Sequence, residues 1–349
     1  MCKGHIPRFP IFPVNAQRFV PILIILAAVR AVALEPSALR SAAEYSAANR
    51  GTVLLVHQHG KTLLAATTNG GSLSSRGKIY SGTKLFWILA GLAAEEDGIL
   101  GLDERVADTI HEWADGSARS HVTIRQLLNF TSGLEPNFAL HGDGMGNRNA
   151  LAITTRFGSA PGGSFIYGPA ALQVFHEILK RKLAAHRETP TAFLERRVLR
   201  PLGLGSQRYV VDRGGNPLLA SGFKLSAAEW LNMGQCIMQQ GAPVVGSGAF
   251  SNVTRGTRSN PAFGMALWNN RAAPGGRVVD PEDMLELPWQ RQNWGGACLS
   301  KSAPDDLLAC IGSGGQRLYV VPSQGLIVVR QGGFGRFHDA EFLARLFGR

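Results

Sequence analysis

One stretch constrains this 349-residue chain more than any other: Tyr80-Ser-Gly-Thr-Lys-Leu-Phe-Trp-Ile-Leu-Ala-Gly-Leu-Ala-Ala-Glu-Glu-Asp97, closed by Gly98. Leu85, Phe86, Trp87, Ile88, Leu89, Leu92 and Ala93 leave no polar stripe, and a helix apolar on nearly every side belongs in the middle of a large domain. Gly98 supplies its stop. Ser81 and Lys84 lie three apart in the first turn, so both side chains leave the helix in the same direction. At a helix N-terminus, backbone N–H groups stabilise a developing anion, and a desolvated lysine gives up its proton and activates a serine.

Spacing alone does not single out this pair, because Ser-x-x-Lys also occurs at Ser75/Lys78 and Ser221/Lys224. Ser75/Lys78 spans Arg76-Gly77 in a polar loop. Ser221/Lys224 precedes an expected cap at Ser226, with Glu229 at the capping-box position. Ser81/Lys84 alone opens a buried helix. The bland alternative is an ordinary surface serine and lysine at a helix start.

Arg18 precedes the apolar run Phe19–Val29, and Ala31-Val32-Ala33 fits a small-x-small cleavage rule, so residues 1–33 read as a secretory signal peptide. The run is too short for a membrane span. An uncleaved anchor or a start codon placed upstream of the true Met stays open. A hydrophobic content of 45% with 17% charged residues is globular rather than disordered. Lys3, Arg8, Arg18 and Arg30 hold four of the formal +11, with no acid in the leader, which leaves +7 on the mature chain. These charges are dispersed along the sequence. A solvated basic surface therefore fits better than a nucleic-acid groove, with attraction to an anionic cell envelope still open. Removing the leader leaves Cys236, Cys298 and Cys310. Residues 295–301 and 306–312 read as a hairpin about Pro304, which sets Cys298 beside Cys310 as a disulfide candidate in an oxidising compartment; Cys236 reads as a buried thiol.

Along the chain, 36–50 reads as a helix, 52–59 and 62–67 as a hairpin, and 107–260 as helical segments joined by long polar loops. Strand character returns at 310–311, 318–322 and 326–330, and 339–347 closes as a helix. Strands at both ends and helices between them imply a discontinuous α/β domain, 34–105 with 261–349, around a helical domain, 106–260. The site is expected between the two. No Gly-x-Ser-x-Gly elbow and no zinc helix occurs, and the histidines are scattered. Two further stretches bear on Ser81. Pro161-Gly-Gly-Ser-Phe-Ile-Tyr167-Gly-Pro169 is a turn running into a helix, and Gly312-Ser313-Gly314-Gly315-Gln316 follows a strand with room for a ligand at the backbone edge. Each has an ordinary reading too, as a packed aromatic and a bulge.

In this order the segments resemble the serine β-lactamase and penicillin-binding-protein superfamily, in its class C β-lactamase, D,D-peptidase and esterase branch. The family shows Ser-x-x-Lys, then Tyr-x-Asn, then Lys/His-Thr-Gly. Val122-Thr-Ile-Arg-Gln-Leu-Leu-Asn-Phe-Thr-Ser-Gly-Leu134, Arg200-Pro-Leu-Gly-Leu204 and Tyr319-Val-Val-Pro-Ser-Gln-Gly-Leu326 extend the likeness over roughly 36–349. It implies an α+β, β-lactamase/transpeptidase-like fold with an antiparallel sheet flanked by helices and an inserted all-helical domain. It also implies Ser81 as nucleophile, Lys84 as its activator and Tyr167 as proton acceptor and donor. The N–H groups of Ser81 and Gly315 would form the oxyanion hole, with Ser313 and Gly314 on the substrate edge.

Two departures stand out. Pro169 replaces the asparagine of Tyr-x-Asn, and the cation of the third motif is missing whether Gly312 or Ser313 is matched to it. The reading is therefore a periplasmic or secreted serine hydrolase acting on a small-molecule or cell-wall-derived ester or amide. It needs no metal or organic cofactor, binds no nucleic acid, and keeps no stable membrane span after signal cleavage. Its oligomeric state is open. The alternatives are a non-catalytic cell-wall or ligand-binding module on the same fold and a true β-lactamase or D,D-carboxypeptidase.

Overall fold

The computed structural model describes Met1 and residues 34–348, so the leader expected over 1–33 falls, Met1 apart, outside the described residues. Ten strands follow in chain order among the described residues: β1 Gly51–Gln58, β2 Lys61–Thr67, β3 Gly77–Lys78, β4 Lys224–Leu225, β5 Trp268–Asn269, β6 Arg277–Val278, β7 Ala297–Cys298, β8 Leu308–Gly312, β9 Gln316–Val321 and β10 Leu326–Gly332. The α-helices among the described residues are α1 Pro36–Ala48, α2 Thr83–Glu96, α3 Ile124–Leu128, α4 Arg148–Ile153, α5 Pro169–Ala184, α6 Pro190–Leu194, α7 Ala227–Met238, α8 Ser247–Thr254, α9 Pro281–Glu286 and α10 Asp339–Leu346.

Six strands make one antiparallel sheet in the order β2-β1-β10-β9-β8-β5, so the N-terminal hairpin joins C-terminal strands and most of the helices are strung between them. Every position of β8 and β9, and all but the last of β10, is buried, as a sheet covered on both faces requires. The fold is thus α+β and β-lactamase/transpeptidase-like, an antiparallel sheet flanked by helices. Helix α7 packs so closely on this sheet that a Cβ on Gly234 would lie 2.4 Å from Ile327 Cγ2, which explains a glycine in a helix interior. Ser226 caps that helix and exchanges hydrogen bonds with Glu229, the capping box read from the sequence. Helix α2 is buried from Thr83 to Ala94 and forms the central rod of the interior.

The hairpin about Pro304 does not form. Ala297-Cys298 instead runs parallel to Arg277-Val278, in a two-stranded ladder of its own. Cys310 sits in β8 opposite Leu318, with its sulfur 3.8 Å from the Gly82 carbonyl. Cys298 and Cys310 therefore belong to different sheets, and both are free, buried thiols, as is Cys236. Symmetry about residue 304 brings the two cysteines together only if the flanking segments pair, and each has another partner. We expect peptide mapping after alkylation in denaturant without reductant to find label on both Cys298 and Cys310. A 298–310 cross-linked peptide would contradict the arrangement.

Candidate active site

Ser81 lies in a short 3-10 turn, Tyr80–Gly82, that feeds directly into α2. Tyr80 takes a left-handed conformation (φ 45°), uncommon for a bulky residue, and its ring packs edge-on against Phe334. Lys84, one turn on, is 3% exposed. Its Nζ donates to Ser81 Oγ at 2.8 Å and to the Ala220 carbonyl at 2.8 Å, and it stands 4.8 Å from the centre of the Tyr167 ring. No carboxylate forms an ion pair with it among the described residues. Burial without a counter-charge penalises the ammonium, so the pKa of Lys84 falls to about 7.

Tyr167 is placed by the residues after it. A Cβ on Gly168 would collide with Pro136, and Pro169 opens α5 at its first position, where a missing N–H costs nothing. Burial raises the pKa of Tyr167 well above that of a free phenol, and the neighbouring Ser81 side chain offsets only part of that rise. The two shifts divide the labour. A lysine near neutrality can accept the Ser81 proton, while a phenol that holds its proton can donate.

The third element is the β8–β9 turn. A Cβ on Gly312 would lie 2.1 Å from the Ile79 carbonyl oxygen, so no side chain fits there, whereas Ser313 borders the cavity. Gly314 and Gly315 both take left-handed conformations, at φ 73° and 69°. Arg330 donates to the Gly315 carbonyl at 2.5 Å and stacks 3.9 Å over Phe337. Arg317 donates to the Gly312 carbonyl at 3.1 Å and pairs with Asp339 at 2.7 Å. Its side chain is fully buried, so it braces the turn from beneath and offers no charge to the cavity.

Sequence reasoning missed Glu282. This residue of α9 accepts from the N–H of Gly314 at 3.0 Å (Oε1) and of Gly315 at 3.3 Å (Oε2), and it pairs with Arg317 at 2.7 Å. The Gly315 N–H assigned by resemblance to the oxyanion hole is therefore engaged by an internal carboxylate. Nothing near residues 281–286 carries a motif; the one signal was three acids in a short segment after Pro281. Ser81, Lys84, Tyr167, Ser313, Gly314 and Gly315 all line one cavity of about 610 Å³, into which Glu282 also faces. Ser221 lines it too, although its Ser-x-x-Lys pattern had been set aside as the approach to a capped helix. Cys298 is not part of the cavity wall. Asp280, Asp283 and His338 lie close enough to share an ion, but Asp280 already caps α9.

A buried lysine with a half-buried serine and tyrosine beside it, between an antiparallel sheet edge and a helical layer, has the geometry of an acyl-transfer site. Residues 39–331 match the Beta-lactamase family model, and the chain belongs to that family. A comparison with curated protein sequences gives no match. Among solved structures, the chain is similar to EstCE1, a hydrolase with promiscuous acyltransferase activity (18% identity, 89% of this chain and 99% of that one, TM-score 0.64). It is also similar to a class C beta lactamase from Rhodobacter sphaeroides (18%, 90% and 98%, TM-score 0.62) and to a D-stereospecific amidohydrolase from Streptomyces sp. (15%, 90% and 98%, TM-score 0.62). At these identities the likeness is one of fold.

The lowered Lys84 pKa fixes the sign of a pH dependence. If neutral Lys84 takes the Ser81 proton, kcat/KM for an ester rises as pH increases through about 7 and levels off above it. A profile already flat well below that pH would remove Lys84 from this role.

Proposed function

We propose that the protein is a serine hydrolase that cleaves an ester or amide through an acyl-enzyme on Ser81. The observation that carries this reading is the 2.8 Å bond between Lys84 Nζ and Ser81 Oγ, made by a buried amine whose pKa is about 7. Ser81 Oγ forms a bond to the carbonyl carbon while its proton passes to Lys84. The bond to the leaving alcohol or amine then breaks, and that group takes a proton supplied through Tyr167. Water, deprotonated by the same pair, releases the acid and restores Ser81. The family's hydrolase and esterase relatives support the chemistry, and the leader-like residues 1–33 support a periplasmic or secreted location.

Glu282 supports a substrate preference. β-Lactams and D-Ala-D-Ala peptides carry a carboxylate beside the scissile bond. Here the third-motif cation is absent, and Glu282 places a negative charge on the amides where a carboxylate would approach. Neutral esters and amides suit this edge better. The same contact favours a second reading, a ligand-binding module without turnover, because a carbonyl oxygen must take the Gly315 N–H from Glu282 before that donor can stabilise an oxyanion.

A fluorophosphonate probe decides between the two: we expect stoichiometric labelling of the wild type and none of Ser81→Ala, with the fold intact by circular dichroism. An unlabelled wild type supports the binding module. Lys84→Ala and Tyr167→Phe should each lower kcat by about 10²–10⁴ if they carry the proton.

The p-nitrophenyl butyrate rate should exceed that for nitrocefin. Glu282→Gln should narrow the gap by about one power of ten, the scale of a charge-assisted contact. Nitrocefin turned over as well as the ester by the wild type would refute the preference.

A further inference from the structure

Two of the three Ser-x-x-Lys copies are left unused by the hydrolase reading, yet the fold brings them together beside the site. Lys78, from the first, and Lys224, from the third, are direct partners across the antiparallel β3–β4 ladder. Side chains so placed start about 5 Å apart, and like charges directly opposite one another repel. Among the described residues, neither they nor Arg208 form an ion pair. All three are exposed. They border a second cavity of about 720 Å³, together with Arg76, which is tied to Glu229 at 2.6 Å, and a single acid, Asp143.

This cavity adjoins the first. Tyr80, His141 and Ser221 line both, so the basic groove begins beside the space at Ser81. The segment that divides them is itself tied to the chemistry: the Ala220 carbonyl holds Lys84, Ser221 borders both spaces and Lys224 faces the groove. The first cavity has the opposite charge on its α9 wall, where Glu282, Asp283 and Glu286 all border it, while Arg336 lines it from another segment. An anionic group meets the acids of α9 on that wall and the lysine ladder in the adjoining groove.

We propose that the Lys78/Lys224/Arg208 groove is the subsite for an anionic group of the substrate, a carboxylate or phosphate separated from the scissile bond by a short chain. The proposal rests on Ser81 as nucleophile and adds the substrate class. Two unpaired lysines held side by side on a ladder fit a ligand that bridges them, because such a ligand turns a repulsive pair into an attractive triad. It is compatible with the exclusion at Glu282, because that concerns an anion adjacent to the reacting carbonyl.

The test compares p-nitrophenyl monoesters of glutaric, adipic and pimelic acid with the valerate, hexanoate and heptanoate esters of equal length. The matching ω-phosphonates separate a phosphate preference from a carboxylate one. For at least one chain length, kcat/KM of the anionic ester should exceed that of its neutral counterpart by about fivefold or more, a scale set by two partly screened ion pairs. That ratio should fall towards one in the Lys78→Ala/Lys224→Ala double variant and in high salt, and be retained in Lys78→Arg/Lys224→Arg.

Isothermal titration of Ser81→Ala with the same esters reads binding without turnover. It decides the groove even if the wild type escapes fluorophosphonate labelling and the hydrolase reading falls. The proposal is overturned if no anionic ester is favoured in either assay, or if the preference survives removal of both lysines.

Discussion

An amine with almost no access to water and no carboxylate beside it is the constraint on which this molecule turns. Lys84 reaches the interior because α2 is apolar around its whole circumference and must be buried, and its first turn is carried inward with it. An isolated ammonium would be costly there, so the protein keeps the nitrogen near neutrality and satisfies it with one hydroxyl and one carbonyl. The core therefore creates the condition that the proposed base requires. Any change that lets water reach the end of α2 would return Lys84 towards an ordinary lysine, charged and unable to take a proton at neutral pH.

A second set of buried charges holds the opposite wall. Arg317, Asp339 and Glu282 form a chain of ion pairs beneath the glycine turn, extended by the Tyr319 hydroxyl on Asp339, and Arg330 reaches the same turn through the Gly315 carbonyl. Left-handed backbone at two successive glycines needs such bracing to keep one conformation. The arginines thus orient peptide groups instead of contacting a ligand. This also accounts for Arg317: next to the glycine run in sequence it could be taken for a replacement of the missing cation, but strand alternation points it into the core, where two carboxylates already neutralise it.

Legibility in the sequence followed the range of the interaction. Helix α1, the β1–β2 hairpin, α7 with its capping box and the closing helix α10 are decided by periodicity and end signals within about fifteen residues, and each was readable. That Ser81, Lys84 and Tyr167 share one cavity was legible because family motifs mark them and because a fully apolar helix is rare. The mistaken hairpin about Pro304 shows the limit. Its two halves look like neighbours, but β7 joins β6 twenty residues earlier and β8 joins β9 and β5, pairings set by the whole sheet. Glu282 was out of reach for the same reason, since its partners lie thirty-two and more residues away and no local pattern foretells them.

Charge illustrates the point most fully. Read along the chain, the basic residues are scattered, and dispersed charge argues against any concentrated anion site. Folding changes the neighbourhood: residues 76 and 78 meet 208 and 224 across some 130–150 positions of sequence, while the acids of α9 gather on the far side of Ser81. What is dispersed in sequence is grouped in space, basic side chains around one cavity and the acids of α9 on a wall of the adjoining one. In a cleft with low-dielectric walls such an arrangement orients a substrate before any hydrogen bond forms, because a molecule charged at one end has only one favourable direction in which to lie. The three copies of Ser-x-x-Lys then divide by burial alone. The copy carried inward by an apolar helix sets its amine against a hydroxyl with a pKa lowered to about 7; the two others set theirs on a short exposed ladder, open to an anion.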